Sequence, residues 1–68
     1  MKVKITTPFI KLDSFLKLAG AASTGGEAKM MISGGNVLVD GEVCHMRGKK
    51  LTPGNVVTVG GAVYEVAR

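Results

Sequence analysis

The chain has 68 residues, with nine Lys and Arg against five Asp and Glu, a net charge of +4 and a pI near 9.6. That length predicts one domain over residues 1–68, which buries only about 60% of the surface its unfolded form exposes and leaves no room for a deep interlayer cavity. The apolar content excludes a disordered chain, and the surplus positive charge steers polyanions to the surface without choosing among RNA, DNA and acidic lipid.

Lys2–Thr6 alternates polar and apolar residues, which predicts a strand with Val3 and Ile5 facing inward. Pro8 suits a first helical turn, so a helix can begin there or as late as Lys11. Leu12, Phe15, Leu16 and Ala19 then recur at i, i+3, i+4 and i+7, one apolar face of a short helix that Gly20 ends. Thr24-Gly25-Gly26-Glu27 reads as a capping box opening a second helix, which buries Ala28, Met31 and Ile32 and stops at Gly34-Gly35. Asp40-Gly41 is a two-residue hairpin turn inside Val37–Val43. Thr52–Asn55 is another turn, and Val56–Val59 and Ala62–Val66 form a second hairpin across Gly60-Gly61. The expected fold class is α+β, two short helices packed on a small, mainly antiparallel twisted sheet.

No apolar run approaches the ~20 residues needed to cross a bilayer, and no signal-peptide core stands at the N-terminus. Cys44 is the single cysteine and forms no internal disulfide. These features predict a reducing cytoplasm and no membrane partner.

Four blocks stand in order along the chain: Lys11-Leu12-Asp13 with Leu16 and Gly20; Thr24-Gly25 with Ala28-Lys29; Gly35, Val37 and Val39 with Asp40-Gly41; and Pro53-Gly54-Asn55. Together residues 11–59 resemble the alpha-L RNA-binding domain, named for ribosomal small-subunit protein four and found also in pseudouridine synthases and bacterial tyrosyl-tRNA synthetases. The family pattern runs Arg-Leu-Asp, then Ser-Arg and Ala-Arg, then Gly-x-Val-x-Val-Asn-Gly, then Pro-Gly-Asp. The flanking strands are similar to those of the small stand-alone members. The resemblance implies the α+β fold named above and a basic face, built from the two helices and the adjoining hairpin loop, that meets structured RNA. The chain departs from the pattern at Lys11, which keeps charge but loses the bidentate fork of arginine. It departs again at Gly25, where a positive side chain is removed, and at Asp40 and Asn55.

The RNA-binding residues expected are Lys11, Lys29, Arg47, Lys49 and Lys50. Lys11 borders the apolar helix face, where its stem can lie on the core and its ammonium stay free. Lys29 matches a basic family position at the edge of the second helix; the plainer alternative is a solvated lysine. Arg47-Gly48-Lys49-Lys50 is the densest basic cluster and is expected on a loop, where its alternative role is to blunt a sheet edge. Lys17 points away from the apolar face, and Asp13 four residues earlier makes an ordinary intrahelical pair with it. Thr24, Gly25 and Gly26 mark a helix start whose amides could receive a phosphate, although Glu27 competes for them. Phe9, Phe15 and Tyr64 are too few for extensive stacking on single strands, so RNA read by shape and backbone fits better.

Cys44-His45 supplies two adjacent ligands, short of a four-ligand zinc site, and reads as a partly buried thiol beside a surface imidazole. No Walker-type phosphate loop and no Ser-His-acid set is present, so neither an enzyme nor a cofactor is expected. The expected function is recognition of structured RNA, ribosomal or transfer, by phosphate contacts. The alternatives are a protein–protein adaptor and an accessory subunit of an RNA-modifying enzyme, with DNA also open as a partner.

Overall fold

The computed structural model describes residues 1–68. In chain order the elements are β1 (Lys2–Lys4), β2 (Ile10–Lys11), α1 (Leu12–Leu18), α2 (Gly25–Ser33), β3 (Val37–Val39), β4 (Glu42–Val43), β5 (Lys50–Leu51), β6 (Val56–Val59) and β7 (Ala62–Ala67). Five strands form one sheet in the order β1-β7-β6-β3-β4, and β2 and β5 form a second, two-stranded sheet. Every pair is antiparallel except β1 with β7, where Val3 lies beside Val66.

A single cluster of thirteen apolar side chains lies between the helices and the sheet. Leu12, Phe15 and Leu16 enter it from α1 and Ala28 and Ile32 from α2, while Val37, Val39, Val57, Val59 and Val66 rise from the sheet. The two periodicities legible in the sequence, near 3.6 in the helices and 2 in the strands, place these residues inward. Met31 and Ala19 fill the margin of the cluster. No helix is long and apolar enough to cross a membrane.

The second helix starts as its capping box predicts. Thr24 Oγ1 accepts the Glu27 amide at 3.1 Å, and the Glu27 carboxylate accepts the Ser23 amide. The first helix takes the later of the two starts open to it. Lys11 is extended at its boundary (φ −74°, ψ 148°), because Ile10 and Lys11 pair with Leu51 and Lys50 instead of winding into a helix. Burial of Leu51 and the partial burial of Ile10 outweigh the preference of Pro8 for a first helical turn. Lys50 accordingly belongs to a strand, not to the loop expected for the whole basic cluster.

Asp40 ties the β3–β4 turn to the Thr52–Asn55 turn. It occupies positive φ (51°) ahead of Gly41 (87°), a conformation that Asp and Asn tolerate and that a right-handed hairpin twist requires. Its carboxylate accepts the Val56 amide at 2.9 Å and the Asn55 side-chain amide at 2.7 Å. Asn55 in turn uses its Oδ1 to accept the Thr52 amide at 2.7 Å. The family pattern has Asn before Gly and Asp after Pro-Gly; this chain has the two exchanged, with Asn55 donating to Asp40. Asp40→Asn alone is expected to set two NH2 groups against each other and cost about 1 kcal/mol. Asp40→Asn combined with Asn55→Asp restores every donor–acceptor match. A urea-denaturation double-mutant cycle checks this, and additive losses in the double variant would show that the two turns are independent.

Candidate nucleic-acid interface

Helix α1 begins without a side-chain cap, and its first amides find acceptors on the basic loop. The Leu12 amide donates to the Lys49 carbonyl at 2.9 Å and the Asp13 amide to the Arg47 carbonyl at 3.1 Å. Donors that a helix start leaves unpaired thus fasten the loop to it. The Lys49 amide donates back to the Met46 carbonyl at 3.1 Å, which tightens the loop on its own side. Arg47, Lys49 and Lys50 are held against Lys11 although more than thirty residues separate them in the chain.

The register of the small sheet sets Lys11 directly opposite Lys50. Like charges facing each other across an antiparallel pair are unfavourable. The register is fixed by the backbone, since Leu51 on one side and Leu12 on the other are fully buried. Lys11, Arg47, Lys49 and Lys50 are all exposed, so this corner offers four cations with no burial to overcome. Phe9 stands at the same corner, 40% exposed, with the Lys50 ammonium 4.9 Å from its ring centroid.

Lys29 lies outside this corner, exposed on α2 four residues after Gly25 and on the same side of that helix. Lys17 lies by the start of α2, a placement the sequence reading missed. Its expected partner, Asp13, instead accepts the Ser14 amide at 2.8 Å. The Lys17 ammonium reaches across to the first turn of α2, 3.9 Å from where a Cβ on Gly25 would stand. The chain therefore carries a positive group at Gly25 after all, donated by the neighbouring helix rather than by a side chain at that position. The missing arginine was itself the signal: open space on one helix invites a long side chain from the helix packed against it. Thr24, Gly25 and Gly26 are exposed, and the start they form is already capped by Thr24 Oγ1 and faced by the Glu27 carboxylate.

Beyond the loop, Cys44 is half-buried with its Sγ 3.6 Å from the Met46 carbonyl oxygen. His45 is exposed and its ring lies over Gly35. With Val43, Met46 and Lys49 they line a shallow open cleft.

Residues 3–67 match the family model described as the S4 domain. The chain is 44% identical over 59 residues to the probable ribosome maturation protein RlbA of Bacillus subtilis strain 168, an alignment spanning 87% of this chain and 83% of that protein. Among solved structures it resembles YbcJ from E. coli, whose solution structure revealed an alfaL motif involved in RNA binding, with a TM-score of 0.75, 31% identity, and coverage of 98% of this chain and 86% of that one. The 30S ribosomal protein S4e from Thermoplasma acidophilum has the same fold in part of its length, with a TM-score of 0.67 at 20% identity over 88% of this chain and 32% of that one.

Proposed function

Because the chain belongs to the S4 domain family, we propose that it is a non-enzymatic RNA-binding protein that docks on structured RNA through the corner of Lys11, Arg47, Lys49 and Lys50. The observation that carries this reading is the pairing that gathers exposed cations from distant parts of the chain, Lys11 opposite Lys50 in the small sheet and the Arg47–Lys49 loop bonded to the start of α1. Lys29, and Lys17 above the capped start at Thr24, Gly25 and Gly26, extend the basic surface along the two helices. The RNA is ribosomal, encountered in the cytoplasm during ribosome maturation; the likeness to RlbA supports this choice over transfer RNA.

Binding to a folded ribosomal RNA fragment, titrated with salt, tests the proposal. With four phosphate contacts, log K is expected to fall against log salt with a slope near about −3. A slope near zero rejects the electrostatic account. The second reading is a protein contact, favoured by Val43 and Met46, which are 51% and 66% exposed beside the loop. Under that reading a partner would stay bound after RNA is digested.

A further inference from the structure

We propose that Phe9 is a base-stacking platform, and that the RNA feature taken by this corner is a helix interrupted by an unpaired nucleotide. The proposal rests on the RNA-binding reading above and gives it a substrate class.

The three aromatic residues of the chain are placed very differently. Phe15 is fully buried, and Tyr64 is half-buried with its ring edge-on to Phe15 at 6.5 Å. Phe9 is 40% exposed in the middle of the cationic corner, where core packing gives no reason for a large apolar ring. Its backbone is fixed on both sides. The Thr7 hydroxyl donates to the Phe9 carbonyl at 2.7 Å, and the next residue, Ile10, packs on the core and pairs with Leu51. The ring is therefore presented on a rigid support.

A nucleotide combines a flat π-face with an anion a few ångströms away, and this corner holds the complement of both. The Lys50 ammonium lies over the Phe9 ring, 4.9 Å from its centroid, and Lys11 is its cross-strand neighbour. A base stacked on that face takes the place of the Lys50 ammonium, which then turns from the ring to the phosphate. Bases inside a continuous A-form helix have both faces covered by their neighbours, so the base that stacks here must come from a bulge, a loop or an end. The competing account is that Phe9 only orients Lys50 by a cation–π contact. In that case the protein gains nothing from an unpaired base.

Two RNA hairpins with the same number of phosphates separate these accounts. One is fully paired, and the other carries a single bulged 2-aminopurine in its stem. The expected result is tighter binding to the bulged hairpin by about 5- to 150-fold, the range of one base–aromatic stack, with quenching of the 2-aminopurine fluorescence. Phe9→Leu is expected to abolish that preference, and Phe9→Trp to retain it. Equal affinity of the unmodified protein for both hairpins, or a preference that survives in Phe9→Leu, overturns the proposal. Binding to neither hairpin overturns the RNA-binding reading itself, which distinguishes the two failures.

Discussion

Phe15→Ala is expected to remove between about a third and all of the chain's folding stability. Phe15 is fully buried at the centre of α1 and meets the edge of Tyr64 on β7, so it joins the helical layer to the sheet. Truncating a buried phenylalanine to alanine costs about 3–5 kcal/mol in lost transfer energy and cavity formation. Stabilities near 0.05–0.15 kcal/mol per residue give a chain of this length roughly 3–10 kcal/mol in total. The loss thus consumes about a third to a half of the stability at the upper end of that range and all of it at the lower end. Far-ultraviolet circular dichroism during urea titration reads the outcome. Phe15→Leu serves as the control, expected to lose less than about 1.5 kcal/mol because most of the volume is kept. An alanine variant within about 0.5 kcal/mol of the parent would show that the layers are joined elsewhere.

Replacing Lys11, Arg47, Lys49 and Lys50 together with glutamine should remove RNA binding and keep the fold. At roughly 0.15 M salt, a phosphate contact that contributes 0.7–0.9 to the salt slope is worth about four- to fivefold in affinity, so four contacts amount to about 200- to 900-fold. The slope should collapse from near about −3 towards zero in the same variant. Stability should change little, because exposed substitutions are usually within about 0.5 kcal/mol each. Affinity and slope that persist in this variant would place the interface elsewhere, with Lys17 and Lys29 the next positions to change.

Much of this architecture was legible before any coordinates. The periodic faces of Leu12, Phe15 and Leu16 and of Ala28 and Ile32, the capping box and the two hairpin turns are local signals, and each is realised where its chemistry places it. The family resemblance, read from four ordered blocks, agrees with the family match over residues 3–67. What was not legible is what depends on distant partners. Ile10-Lys11 and Lys50-Leu51 are two-residue strands with no period to detect, and only their pairing shows that Lys11 faces Lys50. Helical spacing alone gave Lys17 to Asp13, because the packing of α1 against α2 that draws it to Gly25 is a tertiary fact. Asp40 read as a modest turn substitution, and its tie to Asn55 is a tertiary hydrogen bond that spacing along the chain does not show.

The parallel pairing of β1 with β7 also has a consequence in time. Val3 waits for Val66, the residue beside it in the sheet and the 63rd after it in the chain. At about 5–20 residues per second of synthesis, β1 therefore remains without its neighbour for about 3 to 12 seconds. The residues of both helices and the first hairpin are all made before that moment. During the interval the apolar side chains of Val3 and Ile5 are separated by Lys4 and flanked by Lys2, whose charges discourage pairing with another strand. The charges of Lys2 and Lys4 thus stand on a strand whose partner in the sheet is made 63 residues later.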